Sequence, residues 1–428
     1  MRADPSPALP PGPTAHPLAQ AAVFARDPQG ALLRARARYG PVFTLRFAGV
    51  GPVVVAATSD AIELVADADP TASRAGEARR RVLPQASARS MFGSDGDEHR
   101  QVRARITPPF DARRVAEREV AMTERARAHV KTWPIGRPFR LLSRTRTLAE
   151  DLFVRFVLGV EDDVRARMVV QAVGAALRTP GNPPLTPPDR DEQRPLGPLL
   201  HAEFERRLRP LRGLLTREVA DRRSGRIPMG DGILAHVAAS ELSDERIVDE
   251  LLVVLAAAQE PMAIALTRVL DRFARDPALV DALDRDGPDA PAFDAVASEA
   301  LRLHPPALAS LRTLTRDVVV GGHALSAGTD VMVAFTLLNR DPATFPDPDR
   351  FAPSRFLDGP PPPTFLPFGI GERRCPGEPL AGVELRATVP TVLAALRLRP
   401  LSREPERAVQ RATVLVPQRS ALVVATRR

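Results

Sequence analysis

The chain has 428 residues, 44% of them apolar, enough to bury a large core in one domain or several. Its formal charge of +8 comes from 60 basic residues, all arginine except Lys131, scattered among acids with no basic run interleaved with aromatics, which speaks against nucleic-acid binding. One cysteine, Cys375, excludes an internal disulfide and any multi-cysteine metal site, and points to the cytoplasm.

Residues 1–37 read as a proline-rich leading segment without the charged start and apolar stretch of a signal peptide, and residues 38–428 as the folded domain. Residues 42–47 alternate and residues 53–57 form a β-branched run; Gly49 and Gly51 between them predict a hairpin. From residue 98 to residue 282 the composition and period are helical, with apolar residues recurring at three and four over residues 146–158, 199–223 and 244–275. Ser243, followed by Asp244 and Glu245, is an N-cap with acids in the first turn, opening an unusually long helix. Its apolar run at residues 251–258 is far below the ~20 residues a bilayer requires, so no membrane span is expected. Residues 179–198 hold seven prolines, which suits either a lid or a disordered surface insertion. Beyond Asp317, residues 318–320, 331–333 and 414–424 are strand-like, and residues 341–379 form a proline-rich meander. The fold class expected is mainly α with a small β portion, its sheet contributed by both chain ends.

The run Phe368-Gly-Ile-Gly371-Glu-Arg373-Arg-Cys375-Pro-Gly377 places the lone cysteine in a glycine-punctuated loop before a helical pattern starting near Leu380. Glycines permit positive φ and inward-facing amides, and a helix N-terminus carries positive potential; both favour thiolate over thiol. A thiolate is a strongly donating haem-iron ligand that assists O–O cleavage. The run resembles the haem-binding signature of the cytochrome P-450 superfamily, F-x-x-G-x-R-x-C-x-G, matched at Phe368, Gly371, Arg373, Cys375 and Gly377. The resemblance implies a single triangular, mainly helical domain, with haem b between the long central helix and the cysteine loop and Cys375 as the axial ligand of its iron.

Further family marks follow in order. Glu299-Ala-Leu-Arg302 matches E-x-x-R, whose two residues sit one helical turn apart, and Arg355 in Phe351-Ala-Pro-Ser-Arg355-Phe356 is the candidate for the meander arginine that joins the pair in the family. His99 and Arg103 have H-x-x-x-R spacing, on one helix face, and by resemblance they hold haem propionates together with Arg312 and Arg373. One motif departs from the family. Where most members have A/G-G-x-D/E-T, whose acid and threonine relay protons, this chain has Ala257-Ala258-Gln259-Glu260-Pro261. The acid is kept and the hydroxyl is lost; Thr267 lies roughly 9 Å further along a helix, too far to replace it. Proline frees the carbonyl of Ala257, so water or a substrate hydroxyl is expected to fill the gap.

The resemblance thus implies a monomeric cytoplasmic monooxygenase that activates dioxygen with electrons from ferredoxin and an NAD(P)H-dependent ferredoxin reductase, its basic surface suiting an acidic ferredoxin near the cysteine loop. The substrate expected is a small hydrophobic molecule of secondary metabolism, as in antibiotic biosynthesis, met by residues 71–94, 179–198 and 306–311. Two alternatives stand beside this reading. One is atypical chemistry on the same fold, such as phenol coupling, desaturation or peroxide-driven oxidation; the other is a non-catalytic haem-binding protein.

Overall fold

The computed structural model describes residues 8–66, 71–82, 90–177, 197–411 and 414–428. Two short helices come first, α1 (Pro17–Arg26) and α2 (Pro28–Tyr39), each opening on a proline, whose missing N–H costs nothing in the first turn. Asp27 between them caps α2 by accepting the Gly30 N–H at 3.0 Å. Phe24, Leu32 and Ala35 of these helices share a core cluster with Phe43, Val55 and Leu415. The predicted hairpin forms as β1 (Val42–Phe47) and β2 (Gly51–Ala56), with Val42 opposite Ala56.

The helical stretch then runs through α3 (Ser59–Ala66), strand β3 (Ser73–Arg74), α4 (Ala75–Val82), α5 (Gly96–Ile106), α6 (Ala112–Ala116), α7 (Glu119–Val130), strand β4 (Pro138–Arg140) and α8 (Leu141–Leu152). The helix expected over residues 146–158 starts earlier and changes character, passing from α8 into a π-helical turn at Phe153–Leu158. Next come α9 (Asp163–Leu177), α10 (Gly197–Arg223) and α11 (Ile233–Ala238), and then α12 (Asp244–Arg275), whose bounds match the expected ones. The Ser243 side chain accepts the Arg246 N–H at its start. No helix among the described residues is long and apolar enough to cross a membrane.

The last third mixes both kinds of element: α13 (Pro277–Asp286), α14 (Pro291–Leu303), β5 (Ala309–Leu314), β6 (Val318–Val320), β7 (His323–Leu325), β8 (Asp330–Ala334), α15 (Phe335–Leu338), α16 (Glu378–Ala395), β9 (Leu396–Pro400), β10 (Ala408–Arg411), β11 (Val414–Pro417) and β12 (Leu422–Arg427). Both chain ends do contribute to the sheets. The largest has the order β1-β2-β8-β5-β3, with β2 and β8 parallel and Val54 opposite Val331. The strand-like run at residues 414–424 is two strands in different sheets, because Ser420 and Ala421 take positive φ and turn the chain between them. β12 then joins β4 and β9.

Helix α12 ties the two largest cores together. Its first half places Ile247, Val248, Leu251 and Leu255 among side chains of α9, α10 and α11, and its second half packs Ile264, Val269, Leu270 and Phe273 against α8, α14 and α16. Truncating a fully buried phenylalanine such as Phe273 costs ~3–5 kcal/mol, so the register of α12 relative to the α16 end of the cysteine loop is firmly fixed.

Candidate functional site

The cysteine loop is closed by one backbone bond, the Cys375 N–H donating to the Phe368 carbonyl at 2.8 Å. Gly371 has φ +66°, and a Cβ there would lie 2.1 Å from the Ala66 carbonyl oxygen, so only glycine fits between this loop and the end of α3. Gly377 differs from expectation: its φ is −81°, and what it provides is room, since a Cβ would meet the Cys375 Sγ at 3.6 Å and the Phe110 ring at 3.8 Å. Its N–H donates to the sulfur, and α16 starts at the next residue. The expectation that this loop by itself favours thiolate is corrected. Although the Cys375 side chain has an exposed side, the surrounding protein raises its thiol pKa by desolvation; the Gly377 N–H and Arg103 pull it down and are outweighed. The cation that would stabilise a thiolate there is the iron itself.

Beside the loop is a cradle of positive charge. Arg373 donates to the carbonyls of Met91 (3.1 Å) and Ser94 (2.7 Å) and to Asp95 (2.8 Å), and its Nη1 lies 2.8 Å from His99 Nδ1. The same Nδ1 lies 3.0 Å from the Met91 carbonyl, and Nε2 is buried with no hydrogen-bond partner among the described residues. Burial and Arg373 hold the His99 pKa down at about 4, so the ring is neutral. Arg103 reaches back to the Arg374 carbonyl at 2.5 Å and lies close enough to Cys375 to act on its charge. Arg312, 3% exposed, donates to Ser310 and to the Leu311 and Val65 carbonyls; burial and Arg373 push its pKa down to about 10.

The sequence reading missed Arg79. It lies on α4 with its guanidinium 4.9 Å over the Phe92 ring, makes no hydrogen bond with the described residues, and is pushed down to about 9 by burial and by the charges of Arg373 and Arg312. Asp95 cannot neutralise the group, since its oxygens also accept the Gly76 and Glu77 N–H groups. Four guanidiniums around two carboxylates, Asp95 and the Glu372 that also pairs with Arg100, with an unpartnered ring nitrogen among them, fit the two carboxylates of a haem. The residues present therefore fit this group: Cys375 would hold its iron, and Arg79, Arg103, Arg312 and Arg373, with His99 beside them, would meet its propionates. Arg79 stands in an Arg79-Arg80-Arg81 run that reads in sequence only as a charged helix face.

Helix α12 passes unbroken through Pro261, which has no N–H to give the Ala257 carbonyl. Ala257, Ala258 and Pro261 are half-buried. Glu260 is gripped by Arg146 of α8, whose Nε donates to Oε2 at 2.6 Å and whose Nη2 donates to Oε1. Nothing in the sequence marked Arg146, because the pairing depends on how α8 crosses α12. Thr267 is fully buried, donating to the Ala263 carbonyl and sharing a 2.7 Å bond with Thr145, so its hydroxyl is committed elsewhere. A second unforeseen carboxyl, Glu250, accepts the Met91 N–H at 3.0 Å and is pushed up to about 7 by burial. It thereby ties α12 to the peptide whose carbonyl Arg373 holds. Of the segments expected to contact substrate, residues 83–89 and 178–196 lie outside the described residues, and residues 306–311 lead into β5.

The structure brings Glu299, Arg302 and Arg355 together. Arg302 donates to Glu299 at 2.6 and 2.8 Å with both side chains 0% exposed, and Arg355 Nε approaches the same carboxylate at 3.5 Å. Arg302 also donates to the carbonyls of Asn339, Pro348 and Arg350, so α14 and the meander are joined through one guanidinium.

Residues 10–140 and 229–424 match the family profile described as Cytochrome P450. A relative from Mycobacterium tuberculosis, cytochrome P450 135B1, is 31% identical over 97% of this chain and 91% of its own length. Among solved structures, the retinoic-acid-bound cyanobacterial CYP120A1 superposes with a TM-score of 0.83 at 20% identity, covering 99% of this chain and all of that one. A mutant of P450 EryK in complex with erythromycin B gives 0.72 at 24% identity over 97% and 98% of the two chains. These two share the fold. The profile match and the relative's near full-length similarity place this chain in the cytochrome P-450 family, as a haem-dependent monooxygenase.

Proposed function

We propose that the protein is a cytoplasmic monooxygenase that binds haem b through Cys375 and oxidises a small hydrophobic molecule of secondary metabolism with electrons from a ferredoxin and its NAD(P)H-dependent reductase. The observation that carries this reading is the pairing of a single cysteine, in a loop built around Gly371 and Gly377, with a cradle of arginines short of carboxylates. When bound, the haem supplies dioxygen activation and electron transfer, which no side chain of this protein provides.

What the chain itself contributes follows from the positions of its groups. The Gly377 N–H donates to the sulfur and so moderates its electron donation. The guanidiniums of Arg79, Arg103, Arg312 and Arg373 orient the carboxylates of the cofactor, with the unpartnered Nε2 of His99 beside them. Pro261 withholds both a hydroxyl and an N–H on the face of α12 where the family relays protons. The free acceptor there is the Ala257 carbonyl, which takes a hydrogen bond from water or from a substrate hydroxyl. Glu260 remains the acid of the route, oriented by Arg146. Exposed arginines at Arg100, Arg113 and Arg374 support docking of an acidic electron donor on the cysteine side.

A second reading is favoured by one residue. With proline in place of the relay hydroxyl, the same site suits phenol coupling, desaturation or peroxide-driven oxidation, the last of which needs no proton delivered to dioxygen. Turnover under labelled dioxygen separates the two. Label in the product, formed only with ferredoxin and reductase present, supports oxygen insertion; unlabelled product formed at the same rate supports the second reading.

A further inference from the structure

Behind the Glu299–Arg302 pair lies another group of buried basic side chains, three arginines and a neutral histidine, outside the cysteine cradle. It comprises Arg268 and Arg272 of α12, His304 at the C-cap of α14, and Arg340 just after α15. Of the carboxylates around it, Glu404 stands exposed at the surface and the others are engaged. Asp271 accepts from Arg275 on both oxygens at 2.9 and 3.0 Å, Glu299 takes Arg302 and the Ala352 N–H, and Asp349 takes Arg340 at 3.1 Å. The Glu406 carboxylate receives the N–H groups of Arg419, Ala421 and Leu422.

Arg268, 2% exposed, spends only Nη1, on the Glu406 carbonyl at 2.8 Å; its Nε and Nη2 are buried without an acceptor. Arg272, stacked 4.5 Å over the Phe351 ring, donates to His304 Nε2 at 3.3 Å. That contact puts the imidazole proton on Nδ1, which is also buried without an acceptor, as is Arg340 Nη1. Burial keeps the ring well below its usual pKa, and Arg268 is the strongest of the four arginines acting on it, followed by Arg272, Arg340 and Arg302. Three residues thus present buried N–H groups with no acceptor, and the carboxylate acting most on Arg268, Asp271, gives both its oxygens to Arg275. Water would satisfy hydrogen bonds but bring no negative charge to a cluster in which arginines outnumber the carboxylates that touch them. A small anion does both.

We infer that Arg268, His304 and Arg340 form a buried binding site for a monovalent inorganic anion, chloride being the physiological one, which locks the C-terminal half of α12 to α14 and the meander. The test uses the haem-loaded full chain dialysed into sodium gluconate, whose bulky anion does not fit, at fixed pH and ionic strength. Replacing gluconate by chloride or bromide is expected to raise Tm saturably by about 2–4 °C, and Arg268→Gln is expected to abolish the response. A bromide-grown crystal is expected to show an anomalous peak touching Arg268 and His304, which keeps the test open should Arg268→Gln fail to fold. A water in that position, no halide-specific change in Tm, or an equal change in Arg268→Gln overturns the inference.

Discussion

The Glu299 centre and the Cys375 cradle are both rich in buried arginine, and they are balanced in opposite ways. Around Glu299 each carboxylate oxygen is engaged and Arg302 has an acceptor at every branch, with both side chains at 0% exposure. Around Cys375 the arginines outnumber carboxylates, and among the described residues Arg79 has only an aromatic face and His99 Nε2 has no partner. A closed network holds chain to chain, whereas an open one holds a place for a charge the chain does not supply. The first is a device of the fold and the second a device of binding.

The comparison breaks most visibly if Glu299 is removed. Glu299→Ala leaves Arg302 buried and unpaired and is expected to cost ~3–5 kcal/mol, seen as a large fall in denaturation midpoint with and without haem. Glu384 sharpens the rule with a carboxyl that has neither partner nor ligand. It lies 1% exposed on α16 with Oε1 unbonded, and burial raises its pKa from 4.5 to about 8. A raised folded pKa contributes stability that is present below pH 4.5 and lost as pH rises toward 8. Glu384→Gln is therefore expected to match the parent near pH 5 and to exceed its stability by a few kcal/mol at pH 9, at about 1.4 kcal/mol per unit. Chemical denaturation at the two pH values checks it.

In the open cradle, Arg79→Ala should leave the stability of the haem-free chain nearly unchanged and speed haem transfer to an acceptor globin by ~10–100-fold, the worth of a charge-assisted hydrogen bond. If the stability of the haem-free chain falls while haem release does not change, Arg79 belongs to the fold. The smallest effect is expected at α12. Pro261→Thr restores a hydroxyl and should lower peroxide leakage per product severalfold, ~1 kcal/mol of barrier; unchanged coupling in an oxygen-inserting parent removes the special role of Pro261.

How much of this was legible beforehand depended on how local each signal is. The Ser243 cap and the period of residues 244–275 fix α12 within the helix itself, and the spacing of Phe368 to Gly377 announces the cysteine loop within ten residues, although Ala66 and Phe110, which require its glycines, lie far away in the chain. Glu299 and Arg302 are also neighbours on one helix turn. Arg79, Arg146 and Glu250 were not legible, because each acquires meaning only from a residue more than 100 positions away: Arg373 or Arg312, Glu260, and Met91. The thiol of Cys375 was misjudged for a related reason, since glycines and a helix end are visible in sequence and the desolvation that outweighs them is not. The turn that divides residues 414–424 opens at Pro417, whose carbonyl accepts the Ser420 N–H, a proline that the strand-like run around it hides.

The most direct test of the account is the spectrum of the reduced, carbon-monoxide-treated protein after haem loading, compared with that of Cys375→Ala. The account predicts the red-shifted band of thiolate ligation in the parent and its loss in the variant, with the polypeptide still folded. A parent band at the position given by imidazole ligation, or a red-shifted band that survives in Cys375→Ala, would contradict it.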